Sequence, residues 1–153
     1  MPKIDRKNIE ILGLLQQDAR VSNRSLAESI DMSASSTLER TRELERSGVI
    51  TGYHADVDLR ALGRTVEALI MVRVAPKNRE RVDAVIAEIW ELPETIGLSL
   101  LSGEIDLIVH VAVAGTDQLR DVIVDRIASI QGVVDERTSL LFDHRRKPVV
   151  EPL

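Results

Sequence analysis

Apolar residues recur at helical spacing over the first fifty positions and switch to a spacing of two from residue 66. Ile4, Ile11, Leu12 and Leu15 share one face of a helix predicted over residues 4–17, with Asp5 near its positive end. Arg20, Val21, Ser22 and Asn23 break the pattern, and Ser22 and Asn23 are good N-cap types for the next helix. That helix is short, with Leu26, Ala27 and Ile30 inside, and Asp31 stands where the chain must turn. Residues 33–36 form a second capping cluster. A helix follows over 37–46 with Leu38, Thr41 and Leu44 as its inward stripe, and Gly48 is its stop. Residues 49–55 have β character. Three helices, the last two joined by a tight turn, followed by a strand, predict a winged helix-turn-helix.

Residues 56–66 contain Gly63, show little periodicity and read as a connection. Val66, Ala68, Ile70, Val72 and Val74 then alternate with Glu67, Leu69, Met71 and Arg73 in a strand that Pro76 closes. Val82, Val85, Ile86, Ile89 and Trp90 fall at helical spacing before Leu92 and Pro93. Ile96, Leu98 and Leu100 alternate in a second strand. Ser102, Gly103 and Glu104 make a turn into a third strand over 106–113, a hairpin. Thr116 or Asp117 caps a second helix with Leu119, Val122, Ile123, Ile127 and Ile130 inside. Gly132 ends it, and residues 133–142 form a last strand. The order β-α-β-β-α-β predicts a ferredoxin-like, four-stranded antiparallel sheet with both helices on one face. Leu69, Met71, Ile108 and Ala112 make both faces of the sheet apolar, so a second copy is expected to cover the bare one.

Composition narrows the chemistry. Of 153 residues, 44% are hydrophobic and only 2% aromatic, so the cores must be Val, Ile, Leu and Ala. There is no cysteine, which excludes disulfides and thiolate metal sites. No apolar run approaches the ~18 residues of a membrane span, and residues 1–8 lack the apolar stretch of a signal peptide. The net charge is −5 and the pI about 5.3, unfavourable for nucleic-acid binding by charge alone. The imbalance lies mostly beyond residue 60. Residues 1–60 carry nine Lys and Arg against ten Asp and Glu; the remainder carries eleven against fifteen.

Several segments resemble the Lrp/AsnC, or feast/famine, regulators. They are Ile4-Asp5 with Ile11-Leu12, Leu15-Gln16, Asp18 and Arg20-Val21-Ser22; the run 38–53; the turn Ser102-Gly103-Glu104-Ile105-Asp106; and Gly132-Val133-Val134 with Arg137-Thr138. Together they span residues 4–142. The resemblance implies a winged helix-turn-helix domain (1–55) joined by a hinge (56–66) to a ferredoxin-like ligand-sensing and assembly (RAM) domain (67–143); a tail, basic and then apolar, follows over 144–153. It also implies homodimers that build larger rings, often octamers, and amino acids or related metabolites as effectors. The sequence departs from the family pattern at Asn8, Ala19, Asp31 and Glu104. Asp31 replaces a turn glycine and tolerates the left-handed conformation better than most residues. Glu104 replaces an aspartate of the ligand turn and lengthens its arm.

The expected DNA contacts are the hydroxyls of Ser33, Ser35, Ser36 and Thr37, at the end of the recognition helix that enters the major groove, with Arg40, Arg42 and Arg46 reaching phosphates or guanine edges. The alternative is that these arginines only pair with Glu39, Glu43 and Glu45 on a solvated helix face. For the effector, the turn 102–106 offers backbone N–H groups to an α-carboxylate, and Glu104 and Asp106 to an α-amino group. The resemblance places the pocket between dimers and adds Leu100, Gly103, Thr116, Ser139, Leu140 and Leu141 to its lining. The alternative there is a plain hairpin turn with solvated acids.

The expected partners are double-stranded DNA, an amino-acid-like ligand and further copies of the chain, without cofactor, metal or membrane, in the cytoplasm and at the nucleoid. A stand-alone amino-acid-binding or assembly module is the second reading. Catalysis is disfavoured: His54, His110 and His144 lie in separate segments, and no glycine-rich phosphate loop or nucleophile elbow is present.

Overall fold

The computed structural model describes residues 4–151 and 153, which form two compact units. The N-terminal unit runs to Asp56 and takes in the segment from Arg145 onward; the C-terminal unit is Val57–His144.

Three helices make the N-terminal unit: α1 (Arg6–Gln17), α2 (Asn23–Ser29) and α3 (Ala34–Arg46). Each starts on a side-chain cap. Asp5 accepts from the Asn8 N–H, Ser22 from that of Ser25 and Ser33 from that of Ser36. The cap at Asp5 leaves Ile4 outside α1, exposed. Asp31 makes the turn between α2 and α3 in the left-handed region (φ 51°), and Gly48 (φ 74°) stops α3. Ile11, Leu26, Ile30 and Leu44 form the core, with Leu12, Leu14, Leu15, Val21, Met32, Val49 and Ile50 packed around it.

Two expectations for this unit are corrected. The inward stripe of α3 is Thr37, Thr41 and Leu44, while Leu38 is 38% exposed. Leu44 sets the buried side, and Thr37, seven residues back, lies almost directly below it. Thr37 can be buried because its hydroxyl donates to the Ser33 carbonyl (3.0 Å) and leaves the methyl to pack. The strand over 49–55 does not form. Val49 and Ile50 are half-buried against the helical core, and the Ile50 N–H donates to the Leu44 carbonyl (3.0 Å). Residues 51–58 belong to no strand. β-branched residues fold into a strand only where a neighbour completes the ladder.

The C-terminal unit is β1 (Val66–Val74), α4 (Arg79–Trp90), β2 (Thr95–Leu100), β3 (Leu107–Val113), α5 (Thr116–Asp121) with a π-helical continuation (Val122–Ile127), and β4 (Val133–Leu141). The strands form one antiparallel sheet in the order β2-β3-β1-β4, the ferredoxin-like arrangement. Ile70 sits opposite Val109 on one side and Thr138 on the other. Ala68, Ile70, Val72 and Val74, with alternate residues of β3, are buried against Val85 and Ile89 of α4 and Leu119, Val122 and Ile127 beyond β3. Two details differ from expectation. Gly115, not Thr116 or Asp117, is the N-cap residue of α5, and Trp90 is 59% exposed, at the edge of the α4 stripe.

No helix of this unit covers the other face of the sheet, where Leu69, Met71 and Ile108 are half-buried beside Glu67, His110 and Ala112. Glu67 and His110 close a 2.9 Å contact there.

Ile70 is fully buried at the centre of the sheet. Ile70→Ala is expected to cost about 2–5 kcal/mol in chemical denaturation. Trp90→Ala is expected to cost under ~1 kcal/mol, because most of that side chain already meets solvent. A reversed ranking would overturn this account of the core.

Candidate DNA-binding surface and effector site

With Thr37, Thr41 and Leu44 turned inward, the opposite side of α3 is set by its 100° step. Ser35, Glu39, Arg42 and Arg46 fall on one exposed stripe, flanked by Leu38. Ser33, Ser35 and Ser36 are exposed at its N-terminal end and hydrogen-bonded to one another. Asn23 at the start of α2 ties to this end through the Ala34 carbonyl (2.8 Å). Of the three arginines, Arg42 forms no ion pair among the described residues, and Arg46 pairs with Glu43 at 2.7 Å, both widely exposed.

Arg40 and Thr37 are not on this stripe. Thr37 is fully buried, so it cannot reach a groove. Arg40 turns toward α1, where it donates to Asp5 (2.7 Å) and to the Asn8 side chain (3.0 Å). It clamps α3 to the start of α1, and its charge is already neutralised. The expectation that Arg40 contacts DNA is therefore replaced by a fastening role. Asn8, buried at 9% exposure, is the partner that reasoning from the sequence missed. The Asn8 N–H, followed by the Arg40 guanidinium, holds the Asp5 carboxyl below its usual value against the opposing effect of burial.

In the C-terminal unit, Gly103 (φ 133°) and Glu104 are exposed at the tip of the β2–β3 turn. Asp106 faces inward and both of its oxygens are engaged. One accepts from the Val74 N–H (2.8 Å) and the other meets Lys77 (2.9 Å), which also donates to the Gly103 carbonyl (3.1 Å). Burial raises the Asp106 carboxyl, but the Val74 N–H, the Lys77 ammonium and the Arg73 charge outweigh it and hold the group below its usual value. Asp106 fastens the turn to the end of β1, so the acid open to solvent there is Glu104.

The remaining effector candidates lie elsewhere. Ser139, Leu140 and Leu141 pair with Leu69, Ala68 and Glu67 at the start of β1, on the edge strand β4. Thr116 follows the far end of β3. Leu100, Gly103, Glu104 and Asp106 lie by the end of β1, across the sheet, on and beyond edge strand β2. One chain does not bring the two groups together. A shallow concavity of about 250 Å³ lined by Leu62, Arg64, Pro93, Glu94 and Gln118 holds none of them. Its polar groups are already partnered. Arg64 donates to the Ala112 and Pro93 carbonyls, and the buried Glu94 takes Gln118 and Arg126.

The sheet also gathers what the sequence separates: the His144 ring lies 5.2 Å from that of His110, beside Glu67. Among the described residues no three His, Asp or Glu are arranged to hold a metal.

Residues 67–148 match the family model described as the Lrp/AsnC ligand binding domain, and residues 4–51 match a winged helix-turn-helix DNA-binding model. The HTH-type transcriptional regulator AldR of Mycolicibacterium smegmatis is 36% identical over 94% of this chain and 82% of its own. The leucine-responsive regulatory protein of Rhizobium meliloti is 30% identical over 90% of this chain and 88% of its own. A transcriptional regulator of Neisseria meningitidis, solved as its L-Met complex, superposes with a TM-score of 0.86 at 25% identity, over 94% of this chain and 92% of that one.

Because the folded Asp5 carboxyl lies below its unfolded value, the stability it adds is present above the unfolded value and is lost as pH falls through the folded one. Asp5→Ala is expected to lower the melting temperature at neutral pH, with the gap to wild type closing as pH drops below the ordinary carboxylate range. A gap independent of pH would remove the clamp from the account.

Proposed function

The chain belongs to the Lrp/AsnC family of transcriptional regulators, and on that premise we propose that α3 reads duplex DNA while an amino acid or related metabolite, bound between copies of the C-terminal sheet, sets the assembly. The observation that carries this reading is the exposed stripe Ser35–Glu39–Arg42–Arg46, opposite a fully buried one. Ser33, Ser35 and Ser36 approach phosphates at the positive end of α3. Arg42 and Arg46 suit guanine edges or phosphates, Glu39 suits a cytosine amino group, and Leu38 suits a thymine methyl. One module makes few contacts, so useful affinity requires several acting together.

Two copies meeting through Leu69, Met71 and Ile108 would cover the bare face of the sheet. The candidate effector residues divide between the two ends of the sheet, and this supports a pocket completed by another copy, as in the dimers and octamers expected for the family. Glu104 and the backbone of the turn meet the ligand's amino and carboxylate groups, and Ser139, Leu140, Leu141 and Thr116 of another copy, with Leu100, line the rest. The relative solved with L-Met supports an amino acid as the ligand.

We place the DNA-binding domain at 1–55, the hinge at 56–66, the sensing domain at 67–143 and the tail at 144–153; the compact units group residues 57–66 with the sheet and residues 145–153 with the helices. The reading is of a regulator without catalysis or cofactor, acting at the nucleoid in the cytoplasm. Among the described residues no helix is long and apolar enough to cross a membrane.

The test is binding to the duplex upstream of the protein's own gene, read by fluorescence anisotropy with and without each of the twenty amino acids. Arg42→Ala is expected to weaken binding about 10- to 100-fold, the worth of one bidentate base contact, at an unchanged melting temperature. Arg40→Ala is expected to lower the melting temperature. Unchanged binding in Arg42→Ala would remove α3's exposed face from the mechanism. Met71→Glu places a charge in the proposed interface and is expected to yield monomers in sedimentation; an intact dimer would move the interface elsewhere.

A further inference from the structure

The basic tail belongs to the helical unit rather than to the sheet that precedes it in the chain. Gln16, at the end of α1, holds it by a two-point bond. Its amide nitrogen donates to the Val150 carbonyl (3.2 Å), and its amide oxygen accepts from the Val150 N–H (2.9 Å). Val149 is half-buried beside this anchor, while Arg145, Arg146 and Lys147 are exposed. Pro148 fixes its own φ and disfavours helical backbone at Lys147, which stiffens the link between cations and anchor.

The tail changes the charge of the unit it joins. Residues 1–56 carry eight Lys and Arg against nine Asp and Glu; with residues 145–153 the count becomes eleven against ten, a net of +1. Residues 57–144 carry nine against fifteen, a net of −6. Ion pairs among the described residues of the helical unit include Arg6–Glu10, Lys7–Glu10, Arg24–Glu28, Arg40–Asp5 and Arg46–Glu43, and Arg146 and Lys147 enter none of these. Arg20, four residues beyond the anchoring Gln16 and just before α2, is likewise exposed and enters none of these pairs.

We propose that this anchored tail is a second DNA contact, in which Arg146 and Lys147 neutralise backbone phosphates without reading bases. The proposal rests on the DNA-binding reading above. An exposed cationic run on the unit that approaches a polyanion gains affinity by releasing condensed counterions. Anchoring at Gln16 removes part of the ordering cost that a loose tail would incur on binding.

The experiment uses the full chain, with an upstream-region duplex and an unrelated duplex, each titrated between 50 and 200 mM salt. For the double variant Arg146→Ala/Lys147→Ala, the salt slope is expected to fall by about 1.8 per engaged tail, about 0.9 for each lost phosphate contact. Over that fourfold salt range this amounts to about a tenfold smaller loss of binding. Affinity should drop by the same factor on both duplexes, with an unchanged melting curve, because both side chains are exposed. Gln16→Ala keeps the cations and loosens the segment, so a smaller drop is expected. Wild-type slope and affinity in the double variant would overturn the proposal while leaving α3 as the reader. A loss confined to the upstream duplex would also overturn it, and unaltered binding in Gln16→Ala would overturn the anchoring. Wild-type protein that binds neither duplex would defeat this proposal and the reading beneath it together.

Discussion

β1 is the central constraint of the C-terminal unit. It lies between β3 and β4, and its Ala68, Ile70, Val72 and Val74 side chains are buried beneath α4 and α5. A strand has a side-chain period of two, so burying that set sends Glu67, Leu69, Met71 and Arg73 to the opposite face. No helix of the unit lies over them, and only His144 reaches that face, against His110 beside Glu67. The antiparallel register then determines where everything else falls. The turn 101–106 is fastened at the Val72–Val74 end, and residues 139–141 are held at the Glu67–Leu69 end. At roughly 3.3 Å per residue, Val72 and Ala68 alone are ~13 Å apart along the strand. A ligand the size of an amino acid cannot touch both groups in one copy. On the proposed reading, a second copy answers both the bare face and the divided site. A ligand bound where copies meet changes their association as a matter of linkage.

The same periodic reasoning applies to α3, where one helical step decides the function of a side chain. Leucine at position 38 suggests burial by its composition, yet Leu44 and the closure by Val49 and Ile50 orient the helix so that Thr37 points inward. A threonine can be buried there because its hydroxyl is satisfied within the helix. Arg40 shares that inner half and is taken up by Asp5 and Asn8. Those partners lie 32 and 35 residues away along the chain, and local pattern carries no information about them. The caps at Ser22 and Ser33, the left-handed Asp31 and the stop at Gly48 were legible because each depends only on its immediate neighbours.

The sheet was legible for a similar reason. Alternation over 66–74 and 106–113, with helical stripes between, is enough to predict β-α-β-β-α-β and its buried face. The stretch 49–55 shows the limit, since β-branched residues without a ladder partner do not make a strand. In the candidate sites, the serines and Arg42 could be placed from their position in the helix. Asp106 could not, because its role depends on Lys77 and the Val74 N–H, brought to it by the fold. The buried Glu94 and the pairing of His110 with Glu67 are hidden in the same way.

A chain of net charge −5 that binds DNA must arrange its cations locally, because beyond ~10 Å salt screens most of the rest. In the helical unit the fold consumes several cations. Arg40 is committed to Asp5, Arg46 is shared with Glu43, and Arg6, Lys7 and Arg24 are tied to neighbouring glutamates. Arg20, Arg42, Arg146 and Lys147 enter none of these pairs. So few cations give one module a small electrostatic contribution, and copies acting together multiply it. On the proposed reading, control of assembly is control of affinity. A ligand at the sheet need not reach α3 at all; it need only change how many modules engage the same duplex.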